Sequence, residues 1–214
     1  MTTTLLKRPI QAPIGEKRIT LNCHSWDEYQ KILQALGDRP VRITFDGNRV
    51  EIVMPLELHE FARAMFEHFV RILVMELGLN IKTMGSTTLN RQDLRRGAEP
   101  DNAYYIQNQP LVRGRDVDLS QDPPPDLVVE VDITHTDINK LELYAALGVP
   151  EFWRYDGQVW RIYALENGVY KELENSPTFP DVPKMWLYEF LVSAREDELS
   201  AMRELQKRVR TLVS

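Results

Sequence analysis

Three ionisable residues in the middle of the chain have types and positions suited to hydrolysis of a phosphodiester. Glu130 interrupts the apolar run 127–131, where an ionised carboxylate is costly to bury unless a partner compensates its charge. Asp101 follows Pro100, which favours extended backbone before it, and we expect Asp101 to begin a strand. Lys140 lies in the first turn of the helix expected after the Glu130 strand. The three side chains could therefore surround one point.

Two carboxylates and a lysine around one point would suit metal-dependent chemistry. The carboxylates can hold a hard divalent cation, Mg²⁺ or alternatively Mn²⁺, which lowers the pKa of a bound water. The lysine can stabilise charge on the phosphate or orient the attacking water. Each residue also has a structural alternative: Glu130 in a salt bridge at the strand end, Asp101 in a turn and Lys140 on the surface. The pattern alone leaves these alternatives open.

Local signals predict the elements that must position these residues. The capping-box motif at 25–28 predicts a helix through about Leu36. Asp46-Gly47-Asn48 between two strand-like runs predicts a hairpin. Apolar residues at helical spacing predict a long helix over 57–77.

The second half of the chain again mixes strands and helices. The patterns predict strands near 81–89, after Pro100, at 127–131 and around a hairpin at 156–157, helices at 137–147 and from Trp186 onward, and a long loop at 107–126. Interspersed elements of this kind predict an α/β (α+β) fold, a sheet with helices packed on it.

Length and composition bound the domain organisation and the class of protein. The 214 residues suffice for one domain, which we place at 19–190 between an N-terminal arm at 1–18 and a C-terminal helix at 191–214. One cysteine excludes an internal disulfide and a multi-cysteine zinc site. Without an apolar run of about 18 residues or a secretory signal, we expect no membrane association and a cytoplasmic location.

Two further patterns bear on partners. A net charge of −6 counts against a strong DNA binder that acts alone, although it does not exclude one. The C-terminal helix carries an apolar stripe that could pack on the domain or on a second copy, and we favour a homodimer role for it. The stripe consists of Leu199, Met202, Leu205, Val209 and Leu212.

Two segments make the chain recognisable. Glu99-Pro100-Asp101, followed by PDLVVEVDITHTDINKLELYAALGVPEFWRYD at 125–156, resembles the Uma-two family of bacterial restriction endonucleases in the PD-(D/E)XK superfamily. The resemblance extends over roughly 40–190. It implies a restriction-endonuclease-like fold, with a mixed central sheet flanked by helices.

The resemblance also implies roles for particular residues. The superfamily's first metal-binding aspartate corresponds to Asp101 and its second acid to Glu130. The superfamily's lysine has moved from the strand to Lys140 in the following helix. Tyr144 has the place of the aromatic residue one turn further along, and Glu60 could be the additional acid that many relatives supply from their first helix.

Two more residues are candidates for lining this site. His59 lies beside Glu60 in the sequence and is the weaker candidate of that pair. Asp132 stands where the strict motif has lysine, and we expect it to point away from Glu130, so that it could bind metal only if the strand end bends.

The resemblance predicts a Mg²⁺-dependent endonuclease that hydrolyses DNA. One alternative is a catalytically silent protein with a binding or regulatory role, which the acidic charge and Asp132 favour. Another is a hydrolase of RNA or a nucleotide. A basic rim around the acidic pocket would favour DNA, whereas an uninterrupted acidic surface would favour the alternatives.

Overall fold

The computed structural model describes residues 17–37, 39, 41–54, 57–133 and 138–213. The predicted N-terminal arm lies outside these residues, apart from Lys17 and Arg18, which begin the first strand. In chain order the elements are β1 (Lys17–Asn22), α1 (Trp26–Leu36), β2 (Arg42–Phe45), β3 (Arg49–Met54), α2 (Glu57–Glu76), β4 (Lys82–Thr83), β5 (Leu89–Arg91), β6 (Arg96–Ala98), β7 (Asn102–Tyr105), α3 (Gln109–Val112), β8 (Leu127–Val131), α4 (Lys140–Ala146), β9 (Glu151–Tyr155), β10 (Trp160–Glu166), β11 (Val169–Leu173), α5 (Lys184–Glu196) and α6 (Glu198–Arg210).

The strands of the described residues form two sheets. An antiparallel sheet has the order β1-β3-β2-β6-β5. A mixed sheet has the order β11-β10-β9-β8-β7-β4, and within it β8 and β9 are parallel. A parallel pair needs a crossover connection, which the segment containing α4 supplies. The predicted α/β fold, a mixed sheet with flanking helices, is confirmed. The separate antiparallel sheet was not predicted from the sequence.

Local chemistry explains why several elements begin where they do. Ser25 caps α1 by accepting a hydrogen bond from the Glu28 amide, 3.1 Å away. The Glu28 carboxylate in turn accepts from the His24 amide at 2.8 Å. In the usual capping box its partner is the amide of the N-cap residue, which here is Ser25. In the β2–β3 hairpin, Asp46 accepts from the Arg49 amide at 2.8 Å, and Gly47 takes the positive φ of 96° that the turn requires.

Strand β8 separates two packed layers, which decides where its acids point. Leu127, Val129 and Val131 face the main core, which is filled by α2, α5 and α6. Val128 faces the smaller core beside Tyr144 of α4. Since residues two apart in a strand share a face, Glu130 points to the α4 side together with Val128.

The C-terminal segment packs within the chain. It forms two helices that part at Asp197, whose side chain caps α6 by accepting from Ser200 at 3.0 Å. Leu205 and Val209 of the predicted stripe are buried in the main core. The preference for a second copy as their partner is therefore wrong for this part of the stripe. The predicted boundary at 190/191 falls inside α5.

Two predicted segments, a loop and a helix start, differ from what the structure shows. The loop at 107–126 contains the short helix α3. The start of the helix predicted at 137–147 lies outside the described residues, and the corresponding helix, α4, begins at Lys140. No helix in the described ranges combines the length and apolar character needed to cross a bilayer.

Candidate active site

The pairing of β7 with β8 brings Asp101 to the same edge of the sheet as Glu130. Asn102 is in register with Val129, and Asp101 is the residue just before β7. The Asp101 carboxylate accepts a hydrogen bond from the Val131 amide at 2.6 Å. Both Asp101 and Glu130 are buried, at 1% and 3% exposure. An aspartate far away in sequence is thus held beside the Glu130 strand by backbone geometry.

Lys140 reaches back from the start of α4 to the acids of β8. Its Nζ lies 2.6 Å from Glu130 Oε2 and 2.7 Å from Asp132 Oδ1. The expectation that Asp132 points away from Glu130 is wrong, because residues i and i+2 of a strand share a face. Asp132 is consequently a member of the cluster, and it shares the lysine with Glu130.

Tyr144 fixes the other side of Glu130. It lies four residues after Lys140, one helical turn along the same face of α4, and its hydroxyl donates to Glu130 Oε1. Burial, followed by the negative charge of Glu130, raises the pKa of Tyr144 well above its usual range. The phenol therefore stays protonated and keeps its hydrogen available for this bond.

Asp101 is surrounded by donors. Arg42, from β2 in the other sheet, donates from Nη1 to Asp101 Oδ1. His59, near the start of α2, places Nε2 3.1 Å from the same oxygen. Burial by itself raises the pKa of Asp101, but the hydrogen bond from His59 and the positive charge of Arg42 outweigh it, and the pKa is lowered. Asp101 is therefore a carboxylate at neutral pH.

Glu60 lies at the rim of this cluster. Its Oε1 accepts from Arg42 Nη2 at 3.1 Å and its Oε2 accepts from Arg63 at 2.9 Å. The Glu60 side chain is 42% exposed. Burial raises its pKa, yet the hydrogen bond from Arg63 and the charge of Arg42 together lower it. Glu60 is linked to Asp101 through Arg42 and His59.

The antiparallel sheet contributes residues that the sequence reasoning missed. Arg18 of β1 bonds to Glu51 of β3, and it also lies 3.8 Å from Asp132. The mixed sheet adds one more such residue, since Arg154 of β9 donates to Asp132 at 3.0 Å. A signal for Glu51 was present, since it interrupts the apolar run of β3 just as Glu130 interrupts that of β8. The arginines carried no comparable local signal.

Most of this cluster lines one pocket between the two sheets; Glu60, Tyr144 and Arg154 contact residues of the pocket from outside its lining. Its acids outnumber its cations: it contains Glu51, Glu99, Asp101, Glu130 and Asp132 against Arg18, Arg42 and Lys140. The pKa of Glu130 is raised to about 7. Burial is the main cause, the positive charge of Lys140 opposes it, and the negative charges of Asp101 and Asp132 add to it. A further cation would relieve this excess of negative charge.

The donor types fit a magnesium or manganese ion. Carboxylate oxygens are hard ligands, and Mg²⁺ is commonly held by one or two carboxylates with water completing its shell. Asp101 and Glu130 would be those carboxylates. Among the described residues, no three His, Cys, Asp or Glu side chains are arranged as a ready-made metal cage. Two carboxylates suit an ion such as Mg²⁺, which keeps several of its waters when it binds to protein.

Comparison with known proteins places the fold and the family. A family model described as "putative restriction endonuclease", Uma2, matches residues 26–189. No curated protein matches this sequence. Among solved structures, the crystal structure of a "putative nuclease belonging to DUF820" from Anabaena variabilis ATCC 29413 aligns with a TM-score of 0.50 at 14% identity, covering 77% of this chain and 97% of that one. At such an identity the likeness shows a shared fold. The family match spans most of the sequence, and the chain belongs to the Uma2 family of putative restriction endonucleases.

Proposed function

We propose that this protein is a divalent-metal-dependent endonuclease that hydrolyses DNA phosphodiester bonds. The observation that carries the proposal is the convergence of Asp101, Glu130 and Lys140 on one buried pocket, with Lys140 Nζ 2.6 Å from Glu130. Family membership supports a nuclease activity. The restriction-endonuclease-like families generally use divalent metals, which agrees with the donor types found here.

Each residue has a role in this proposal. Asp101 and Glu130 hold Mg²⁺, or Mn²⁺ in its place, and the bound ion supplies a water of lowered pKa and charge stabilisation at the phosphate. Val131 and His59 orient Asp101, and Tyr144 orients Glu130. These contacts fix the two carboxylates before a ligand arrives, which lowers the cost of ordering them on binding.

Lys140 acts as a cation rather than as a base. Burial lowers its pKa, but the negative charges of Asp132 and Glu130 outweigh burial, and the pKa is raised. The ammonium therefore keeps its proton at neutral pH. In hydrolysis, a water oxygen bonds to phosphorus and loses a proton to solvent, while one backbone P–O bond breaks and the leaving oxygen takes up a proton. Lys140 stabilises the charge that develops on the phosphate.

Glu60 is the proposed auxiliary acid, and it acts at the open rim of the pocket. DNA is the proposed substrate because the family is described as one of restriction endonucleases. Two arginines paired with Glu60 and Asp132 are partly exposed: Arg63 and Arg154, at 28% and 31% of their side chains. They offer donors to a phosphate backbone despite the acidic net charge. The homodimer and the cytoplasmic location remain predictions, and light scattering of the purified protein tests the first.

Metal titration combined with plasmid nicking tests this function. Calorimetry of Mg²⁺ and Mn²⁺ binding would be run on wild type and on Asp101→Asn, which keeps the side-chain shape but removes the charge. Glu67→Gln, in the exposed Glu67–Arg71 pair of α2, is the matched control. We expect metal binding and nicking in wild type and control, and loss of both in Asp101→Asn.

The other outcomes separate the alternatives. Metal binding without nicking of DNA, but with cleavage of RNA or a nucleotide, would reassign the substrate. Metal binding with no cleavage of any of them would favour the catalytically silent binding or regulatory protein. No metal binding in wild type would overturn the proposed function.

A further inference from the structure

Arg42 contacts the Asp101 oxygen to which the proposed metal ion would bind. Its Nη1 donates to Asp101 Oδ1, and its Nη2 lies 3.1 Å from Glu60 Oε1. The other Asp101 oxygen accepts the Val131 amide, a backbone group fixed by the sheet. A divalent cation at Oδ1 would meet a guanidinium of like charge on the same atom. Metal binding and the Arg42–Asp101 contact therefore compete.

Arg42 belongs to a different sheet from the acids that it contacts. It comes from β2 of the antiparallel sheet, whereas Asp101 and Glu130 are held by the mixed sheet. Its other partners are two side chains of α2: the ring of His59, 3.2 Å from Nη1, and Glu60, which lies at the open rim and is itself held by Arg63. Release from Asp101 would thus leave Arg42 attached to Glu60, at the exposed rim of the cluster.

Lys140 is placed differently. It is 7% exposed and enclosed by Glu130 and Asp132, at 2.6 and 2.7 Å. Moving it outward would leave the buried Glu130 without a cation and would remove the closest cation of Asp132, which is costly. Arg42, with its planar fork of donors, has the geometry that matches a phosphate.

We propose that Arg42 exchanges between two partners: it holds Asp101 until a divalent cation binds there, and it then donates to the substrate phosphate. This inference rests on the proposed function. It assigns Glu60 the task of retaining the displaced guanidinium, and it makes Arg42 the residue that couples metal binding to substrate binding.

Two variants test the exchange. Arg42→Gln removes the competing charge, and we expect Mg²⁺ to bind about threefold tighter or more while nicking at saturating Mg²⁺ falls about tenfold or more. Arg71→Gln is the matched control, since it removes a cation from the Glu67–Arg71 pair of α2, which contacts neither Glu60 nor Asp101. We expect its Mg²⁺ affinity to stay within about twofold of wild type, as for an exposed ion pair. Unchanged or weaker Mg²⁺ binding in Arg42→Gln would overturn the exchange, as would unchanged nicking.

A measurement on wild type covers the case in which Arg42→Gln does not fold. The NMR signal of the Arg42 side-chain Nε–H can be assigned by its loss in Arg42→Lys. Its chemical shift should change during a Mg²⁺ titration, and the midpoint of that change should agree with the Kd from calorimetry. A signal that does not move would overturn the proposal. Tighter Mg²⁺ binding by Arg42→Gln in a protein that nicks no DNA would leave the metal-coupled release standing and overturn the DNA assignment instead. Wild type that binds no Mg²⁺ would overturn both.

Discussion

The two ends of β8 both bury carboxylates, but they satisfy them in different ways. At the start of the strand, Asp126 accepts from the amides of Ile106 and Asn108, 2.6 and 2.9 Å away. Glu151 of β9 lies in register with Leu127, at the same end of β8. It accepts from the Trp153 indole and from the Thr178 hydroxyl, each at 2.6 Å. These partners are all neutral donors.

At the far end of β8 the acids converge and depend on cations. Glu130 and Asp132 share Lys140, and Asp101 depends on Arg42. Neutral donors satisfy a carboxylate without supplying a counter-charge, whereas under the proposed exchange a cation such as Arg42 beside clustered acids gives way to a metal ion. Burial therefore does not distinguish the two groups of acids, whereas the charge of their partners does.

The largest expected effect comes from replacing one buried glutamate with glutamine near each end of β8. Glu130→Gln should reduce nicking by about 100-fold or more, because a charged ligand of the proposed metal is lost. Its stability should change by less than about 1 kcal/mol, since the Gln carbonyl can still accept from Lys140 and the Tyr144 hydroxyl can turn to accept.

Glu151→Gln should give the reverse result. The new amide would face donors from Trp153 or Thr178, and a buried donor left unsatisfied costs about 2 kcal/mol. Nicking per folded molecule should stay near wild type. Urea unfolding and nicking assays on both variants check the pair, and equal loss of stability in the two would erase the distinction between the ends.

A smaller effect is expected from removing one hydroxyl. Tyr144→Phe removes the donor to Glu130 Oε1, so we expect about tenfold slower nicking and weaker Mg²⁺ binding, because the carboxylate is less well positioned. Tyr105→Phe is the matched control, since its hydroxyl donates to the Pro123 carbonyl at 2.7 Å. Calorimetry should show a change in Mg²⁺ Kd for the first variant alone. The same shift in both would assign Tyr144 a purely structural role.

The smallest effect concerns an acid paired with a cation at the surface. Hydrogen bonds from Arg115, with help from the Asp118 amide, lower the pKa of Asp122 to about 2. A lowered pKa in the folded state means that the pair contributes stability above the ordinary pKa, and that this contribution is lost as pH falls through about 2. NMR titration of Arg115→Gln should return the pKa of Asp122 towards its ordinary value. No change would show that the loop backbone sets it.

The contrast between Asp122 and Glu130 follows from the balance of desolvation against hydrogen bonds. Both acids bond to a cation, yet the pKa of Glu130 is raised to about 7 while that of Asp122 is lowered. At Glu130, desolvation and neighbouring carboxylates exceed the benefit of one lysine. At Asp122, the hydrogen bonds from Arg115 and the Asp118 amide outweigh desolvation.

Much of the local structure could be predicted from the sequence. The S-x-x-E motif, the Asp46-Gly47 turn and the apolar spacing of α2 determined elements that appear within a few residues of their predicted bounds. Glu130 was recognisable because its apolar neighbours 127–131 required burial, and Lys140 because it followed in the next helix. These are signals between residues close in sequence, where the backbone period alone relates side chains.

Only the tertiary structure decided which residues meet across long separations. Arg42 reaches Asp101, and Arg18 reaches Glu51, because two sheets pack around one pocket. No local pattern encodes such a meeting, since it depends on strand order and register. The sequence by itself determined that acids would be buried in the apolar strands; the fold decided which of them face cations and which face neutral donors.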